Sequence, residues 1–255
     1  MEHIFEKHTT RIAAAVSDLT VAYGMNPVLR NINIGFPMGK LIAVMGPNGA
    51  GKSTLIKAML GLVPKISGTV LFFPGEAGDT SLNKNRRRIA YVPQCGSVDW
   101  DFPVTALDVV TMGTYPSLGL IKRPGARERE RAMEMLRTVG MDRYAHRQIG
   151  GLSGGQQQRL FIARALIQDA DIYFLDEPFK GVDAATEKTV MELLRSLKNR
   201  GKTIIVVHHD LQTAPDYFDH IVFLNVRVRA QGDARYVFNE KNLHLVYGNG
   251  ETKNG

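Results

Sequence analysis

Residues 46–54 read Gly-Pro-Asn-Gly-Ala-Gly-Lys-Ser-Thr and match the pattern G-x-x-x-x-G-K-[ST], which is typical of a loop that binds nucleotide phosphates. Glycines lack a Cβ, so the N–H groups of such a loop can turn toward phosphate oxygens at the positive end of the following helix. Lys52 is then placed to reach the β- and γ-phosphates, and the Ser53 hydroxyl to ligate Mg²⁺. The predicted phosphate-binding residues are Gly46, Pro47, Asn48, Gly49, Ala50, Gly51, Lys52, Ser53 and Thr54.

A phosphate loop of this kind needs a strand before it and a helix after it. The apolar run from Leu41 to Met45 predicts a short buried strand, and residues 53–62 carry apolar side chains at helical spacing. Both required elements are therefore predicted. We interpret the segment as a phosphate-binding loop rather than as a plain Gly-rich turn.

A second apolar run, residues 171–175, leads into the carboxylates Asp176 and Glu177, and Pro178 ends this predicted strand. A carboxylate at the end of a strand beside a phosphate loop is placed to approach Mg²⁺. The next carboxylate is placed to orient or deprotonate an attacking water. We therefore expect Asp176 at the metal ion and Glu177 in catalysis.

Polar side chains follow two more predicted strands. Gln94 comes after residues 88–92, where its amide would reach a metal ion or a water at the phosphates. His208 and His209 follow residues 203–207, and a histidine there is suited to hydrogen-bond the γ-phosphate at neutral pH. Adjacent residues of a strand point to opposite faces, so the two histidines are not expected to share one metal ion.

Residues 152–156, Leu-Ser-Gly-Gly-Gln, open a helix predicted from Gln157 to Ile167. Ser153 can cap this helix, and the glycines expose backbone N–H groups, so the segment predicts a second anion site. Two interpretations follow. Either one chain binds two anions, or each site holds half of one nucleotide and two copies of the chain meet.

The remaining segments predict a sheet with a helical insertion. Residues 16–21, 31–36 and 68–73 read as strands, and a loosely tied leader is expected over residues 1–15. Helices are predicted over 105–113 and 127–139, between two halves of the sheet. Tyr23 at the end of the first strand either stacks on a base or packs locally.

The composition bounds the class of protein. With 255 residues, 44% hydrophobic and 22% charged, the chain is an ordinary globular protein with length for a substantial core. It has no run of eighteen apolar residues and no signal-peptide layout at its start, so we expect it in the cytosol. Its single cysteine, Cys95, excludes an internal disulfide. The net charge of +7 indicates attraction to anions such as nucleotides, nucleic acid or a membrane surface.

Together these motifs resemble the nucleotide-binding subunits of ATP-binding cassette (ABC) transporters, over about residues 16–235. The resemblance implies an α/β fold of the P-loop NTPase class. It would have a mixed sheet, a helical subdomain at about 99–160 and an antiparallel β subdomain, followed by a C-terminal tail at 236–255. It also implies ATP and Mg²⁺ as cofactors.

The resemblance assigns roles by position. Glu177, His209 and Gln94 correspond to catalytic residues, and the metal ligands would be Ser53, Gln94 and Asp176. Tyr23 corresponds to the residue that stacks on adenine. In this family, a signature segment of one cassette meets the nucleotide bound by a second cassette; it corresponds here to Ser153, Gly154, Gly155 and Gln156. The aspartate of the family's loop after the catalytic carboxylate corresponds to Asp183.

Such cassettes work as head-to-tail homodimers with ATP at the interface, on the cytoplasmic face of the cell membrane. The implied partners are integral permease subunits and, indirectly, an extracytoplasmic metal-binding protein. Residues 96–104 and 177–183 look like the branch that imports manganese, zinc or iron, and are most similar to manganese importers. Lys180 departs from the small residue expected before Gly181.

Residues 99–104 lie where this family contacts the membrane subunit. Trp100 and Phe102, flanked by acidic residues, are expected to form an exposed anchor, the alternative being that both pack into the helical insertion.

Two other classes of function share parts of these motifs. Cassette ATPases that act on ribosomes carry two cassettes in one chain, and those that repair DNA split the cassette around a coiled coil; the sequence shows neither arrangement. A small-molecule kinase shares the phosphate loop but has no use for Leu-Ser-Gly-Gly-Gln. The sequence therefore predicts an ATPase of a metal importer, with no nucleic acid partner.

Overall fold

Two separate β-sheets organise the chain, whose computed structural model describes residues 11–94, 99–119 and 122–248. The strands are β1 (Ile12–Tyr23), β2 (Asn26–Pro37), β3 (Leu41–Met45), β4 (Ser67–Phe72), β5 (Ile89–Val92), β6 (Ile172–Asp176), β7 (Thr203–Val207), β8 (His220–Asn225) and β9 (Arg227–Asp233). One sheet is antiparallel, with the order β2-β1-β4. The other has the order β5-β6-β7-β3-β8-β9 and is parallel except for β9. The expected mixed sheet and antiparallel subdomain are both confirmed.

Helices cover the larger sheet and fill the expected insertion. They are α1 (Lys52–Met59), α2 (Leu82–Asn85), α3 (Ala106–Met112), α4 (Tyr115–Leu118), α5 (Ala126–Thr138), α6 (Gly154–Leu166), α7 (Ala184–Asn199), α8 (Ala214–Tyr217), α9 (Ala234–Val237) and α10 (Glu240–Tyr247). Helices α3, α5 and α6 contact one another, and α5 turns Ala132 and Leu136 into their common core. The periodicity of α5 predicted this face.

The central strands β3, β6 and β7 are buried along their whole length. A parallel sheet covered on both faces requires this, and it explains why these strands read as continuous apolar runs. Alternate residues of β3 enter different cores: Ala43 lies in the core on the helical side, and Ile42 packs with α1 and the antiparallel sheet. The strand thus holds the two layers together.

The order of the parallel strands decides where chemistry can occur. Strands β6, β7 and β3 are neighbours and run in the same direction, so their carboxyl ends share one edge of the sheet. Ligands of open α/β sheets bind at this edge. The phosphate loop follows β3, Glu177 follows β6 and the paired histidines follow β7.

The expectation of a loosely tied leader over residues 1–15 needs correction. Strand β1 begins at Ile12, so the last part of the expected leader is a strand, and its residues Ala13 and Ala14 are buried. At the other end, the segment expected as a C-terminal tail contains α10, in which Val246 is buried and its carbonyl accepts a hydrogen bond from Asn225 Nδ2 at 3.0 Å. Residues 1–10, 249–255 and 95–98, including Cys95, lie outside the described residues.

The expectation that Trp100 forms an exposed anchor is wrong. Its ring is partly buried: it packs edge-on against Phe161 of α6, with the ring centroids 5.3 Å apart, at the margin of the core of the helical insertion. Phe102, two residues later, is 58% exposed. Phe102 is thus the more accessible of the two aromatic residues.

Candidate functional site

The phosphate loop needs its glycines for packing as well as for ligand access. A Cβ on Gly46 would lie 1.9 Å from the carbonyl oxygen of Leu224, and one on Gly51 would lie 2.6 Å from Leu29 Cδ2. Gly51 also adopts a φ of 93° at the N-cap of α1, which an L side chain rarely tolerates. The loop therefore lies close against β2 and β8, and its open side is left for a ligand.

Lys52 is held at the mouth of this loop. Its side chain is only 6% exposed, and Nζ donates to the carbonyl oxygens of Gly46 at 2.8 Å and Pro47 at 2.9 Å. Burial lowers the pKa of Lys52, while the charges of Glu177 and Asp176 oppose that shift. An anionic phosphate would compensate the buried cation in the same way.

Ser53 and Asp176 form a second contact at the strand ends. The Ser53 hydroxyl donates to Asp176 Oδ1 at 2.7 Å, and Asp176 is 1% exposed. Burial raises the pKa of Asp176, against the lowering effect of the Ser53 hydrogen bond. A buried carboxylate beside a hydroxyl is an oxygen donor set that suits a hard cation such as Mg²⁺.

Glu177 and Gln94 also meet, a contact that the sequence did not predict. Gln94 Nε2 donates to Glu177 Oε2 at 2.9 Å across 83 residues of sequence. Glu177 adopts a φ of 51°, the left-handed conformation that is uncommon for a residue with a Cβ. Such conformations persist where the surrounding structure enforces them, often at functional sites.

Of these groups, Lys52, Ser53 and Glu177 line one small cavity of about 190 Å³, and Asp176 and Gln94 lie behind its lining as their partners. Its lining consists of Val28, Asn48, Gly49, Ala50, Gly51, Lys52, Ser53, Thr54 and Glu177. Most of the expected phosphate-binding residues thus lie around one space with Glu177 facing it. Val28 was not predicted from the sequence, because an apolar strand residue gives no chemical signal.

The two histidines differ in burial. His208 is 2% exposed, its Nε2 lies 3.1 Å from Thr213 Oγ1, and its ring packs edge-on against Phe179. Burial lowers the pKa of His208 to about 4, so this imidazole is neutral at physiological pH. His209 is exposed and lines a cavity of about 520 Å³. His209 is therefore the more accessible of the two histidines; it does not line the cavity of the phosphate loop, and its contact with the γ-phosphate stays a prediction.

The Leu-Ser-Gly-Gly-Gln segment caps α6 on the surface. Gln156 N–H donates to Ser153 Oγ at 3.4 Å, and Ser153 N–H donates to Gln156 Oε1 at 2.9 Å, which forms a capping box. The helix begins at Gly154 rather than at Gln157, so the glycines form its first turn. None of these residues lines the cavity of the phosphate loop. Within one chain, the two predicted anion sites are separate.

Tyr23 and Asp183 lie outside this cavity as well. Tyr23 is half-exposed at the end of β1, opposite Asn26. Asp183 caps α7 and accepts hydrogen bonds from Thr186 N and Thr186 Oγ1, both at 2.9 Å. These hydrogen bonds lower the pKa of Asp183. The structure shows a capping role for Asp183, and the nucleotide contacts of both residues stay predictions.

Comparison with known protein families shows which family the chain belongs to. A family model described as ABC transporter matches residues 29–180, from β2 to the turn after β6. The chain belongs to the ABC transporter family. It is similar to the manganese transport system ATP-binding protein MntB of Bacillus subtilis, with 57% identity over 91% of both chains. It is also similar to the zinc transport system ATP-binding protein TroB of Treponema pallidum, with 55% identity over 95% of this chain and 90% of TroB.

Solved structures agree with this assignment. An ATP-binding subunit of an ABC transporter matches with a TM-score of 0.75 and 28% identity, over 92% of this chain and 95% of that one. A bacterial ABC transporter cassette solved as a dimer matches with a TM-score of 0.75 and 31% identity, over 87% and 99% of the two chains. The cassette is therefore an α/β ATPase that binds and hydrolyses ATP.

Two other kinds of site are absent from the described residues. No helix among the described residues has the length and apolar character needed to cross a bilayer. The same residues contain no group of three or more His, Cys, Asp and Glu side chains arranged to hold a metal ion.

Proposed function

We propose that this ABC cassette powers the import of manganese into the cell. The observation that carries the proposal is the 57% identity to MntB of Bacillus subtilis, which extends over 91% of both chains. Zinc is the second candidate cation, because TroB, named for zinc transport, is 55% identical over 95% of this chain. The cassette would be the ATP-hydrolysing subunit, and other subunits would carry the cation.

In the proposed site, ATP lies with its phosphates along the loop before α1, and Lys52 meets the β- and γ-phosphates. Ser53, Asp176 and Gln94 are the residues that would hold Mg²⁺, which neutralises phosphate charge when bound. Their support is the buried Asp176 carboxylate, 2.7 Å from the Ser53 hydroxyl. Glu177 would accept the proton of the attacking water. His209 would hydrogen-bond the γ-phosphate.

The proposed active unit is a head-to-tail homodimer. The exposed signature at Ser153 lies away from the cavity of its own phosphate loop, so it is free to cover the nucleotide of a second cassette. The likeness to a cassette solved as a dimer supports this arrangement. Tyr23 would stack on adenine, and Asp183 would lie in the interface.

The proposed partners are permease subunits, with the cassette peripheral on the cytoplasmic face of the membrane. Besides Phe102, the side chains of Leu62 (58% exposed) and Tyr115 (49% exposed) are large exposed hydrophobics. Leu62 and Tyr115 both line a cavity of about 530 Å³ between α1 and the helical insertion. The groove has both apolar and polar lining residues, including Arg86 and Arg164, and exposed apolar side chains beside it suit a partner segment. An extracytoplasmic metal-binding protein would contact the permease and not this chain.

In this proposal, other subunits and not the cassette select the cation. The described residues contain no His, Cys, Asp and Glu cluster that would hold a transition metal, so manganese is cargo for other subunits. Substrate must therefore be tested by transport rather than by metal binding to the isolated chain.

The test is metal uptake in cells that lack this chain and are complemented with the wild type or with Glu177→Gln. Manganese, zinc and iron uptake are each measured. We expect manganese uptake alone to fail without the chain and to return only with the wild type. Failure of zinc uptake alone would favour the second candidate, and normal uptake of all three metals would contradict the metal assignment.

A further inference from the structure

Lys180 contacts Glu177 through both backbone and side chain. The backbone N–H of Lys180 donates to the Glu177 carbonyl oxygen at 3.2 Å, which closes a turn directly after β6. Lys180 Nζ then lies 3.1 Å from Glu177 Oε2. The left-handed φ of 51° at Glu177 bends the chain into this turn.

Lys180 and Gln94 bind the same carboxylate oxygen. Gln94, just after β5, donates its Nε2 hydrogen to Oε2 at 2.9 Å, and Lys180 reaches Oε2 from the turn after β6. Neither contact occupies Oε1. The terminal torsion of a glutamate side chain is broad and roughly two-fold, so an unsupported carboxylate takes many orientations. Two donors on one oxygen restrict that rotation and leave the other oxygen for a ligand.

We propose that Lys180 is a positioning residue for ATP hydrolysis: together with Gln94 it holds Glu177 by Oε2 and presents Oε1 to the attacking water. In this step the water oxygen bonds to the γ-phosphorus and its proton passes to Oε1. The bond from the γ-phosphorus to the bridging oxygen breaks, which leaves ADP and phosphate. The inference rests on the proposed role of Glu177 as the base.

The exposure of the Lys180 and Glu177 side chains sets the expected loss of turnover when Lys180 is replaced. The Lys180 side chain is 60% exposed and that of Glu177 is 16% exposed, so water screens the ion pair in part. Loss of Lys180 should therefore slow turnover without abolishing it. We expect kcat to fall by about fivefold while KM for ATP stays unchanged.

The experiment measures steady-state ATP hydrolysis by the purified full chain carrying Lys180→Met, which keeps most of the stem and removes the charge. Lys180→Arg retains a cationic donor and should recover most of kcat. Lys188→Met is the matched control, because Lys188 is also an exposed lysine, in α7. It should leave kcat and KM unchanged. Unchanged kcat in Lys180→Met, or a rise in KM alone, would overturn the inference.

A double-mutant cycle tests whether Lys180 acts through Glu177. Single-turnover phosphate release is measured for Glu177→Gln with and without Lys180→Met. Once the carboxylate is gone, removing Lys180 should cause no further loss. A further fivefold loss would show that Lys180 acts elsewhere, for example across the dimer interface. Normal turnover of Glu177→Gln alone would instead refute the base assignment, so the two failures are distinguishable.

Discussion

Ser53 donates its hydroxyl hydrogen to Asp176 Oδ1 at 2.7 Å, although 123 residues of sequence separate the two. Ser53 lies in the first turn of α1, and Asp176 is the last residue of β6. The contact forms because β3 and β6 belong to one parallel sheet and end at the same edge. The two proposed metal ligands are therefore assembled by the fold itself.

Ser53→Ala should raise the Mg²⁺ concentration needed for half-maximal ATP hydrolysis by about tenfold, on the scale of lost metal-site contacts. The variant loses one proposed ligand and leaves the buried Asp176 carboxylate without its donor. A Mg²⁺ titration of ATPase activity measures the effect. Ser196→Ala, which changes an exposed serine of α7, is the control. An unchanged Mg²⁺ requirement would remove Ser53 from the metal site.

Glu177→Gln should lower ATP turnover by about 10² to 10⁴-fold, because an amide cannot accept the proton of the attacking water. ATP binding should persist, and the ATP-bound dimer should accumulate. Turnover is measured by phosphate release and dimer formation by size-exclusion chromatography with ATP. Glu192→Gln alters an exposed carboxylate of α7 and should behave as the wild type. Equal turnover in the two variants would contradict the catalytic role.

His208 should make the fold sensitive to acid. Its pKa falls from 6.5 to about 4 on burial, so between these values the unfolded chain binds a proton that the folded chain does not. The free energy of unfolding should therefore decrease as the pH falls through this window, by about 3 kcal/mol in total. Urea denaturation at several pH values measures it.

The contribution of His208 is isolated by variants. The slope of the unfolding free energy against pH reports how many protons the chain binds on unfolding. Between pH 4 and 6.5, His208→Gln should reduce that number by up to about one. His146→Gln, which replaces an exposed histidine, is the control. Equal slopes for the wild type and His208→Gln would show that His208 is not held neutral by burial.

Replacing Trp100 should affect the stability of the fold, whereas replacing Phe102 should affect binding to the permease. Trp100→Ala removes a ring packed on Phe161, so it should lower the free energy of unfolding by about 2 kcal/mol. Phe102→Ala removes an exposed ring and should leave stability unchanged, but weaken co-purification with the permease. Thermal unfolding and pull-down from membranes distinguish the two. Retention of the permease by Phe102→Ala would exclude this contact.

The parts of the fold that the sequence predicted share a physical cause. Strands buried on both faces, such as β3 and β7, read as continuous apolar runs, and the face of α5 follows helical periodicity. Strand β1 was predicted to begin too late because its first residues include Ala13 and Ala14, and alanine has low strand propensity. Strand β9 alternates exposed and half-buried residues at the edge of its sheet, which gives no apolar run.

The functional site, like the fold, could be predicted only in part. Spacing identified Lys52, Asp176 and Glu177, because each follows a buried strand at a position that fits phosphate chemistry. Spacing did not reveal that Lys180 contacts Glu177, since that contact depends on a left-handed turn and a side-chain orientation. Nor did it separate Trp100 from Phe102, because burial of one aromatic residue depends on Phe161, which is distant in sequence.

The most direct test of the account is transport by the purified cassette and its permease in proteoliposomes. The metal-binding protein and radioactive manganese are supplied on the side of the membrane opposite the cassette. We expect manganese to cross only when ATP and Mg²⁺ are present on the cassette side, and not with Glu177→Gln. Manganese transport without ATP, or ATP hydrolysis that transports neither manganese nor zinc, would contradict the proposed function.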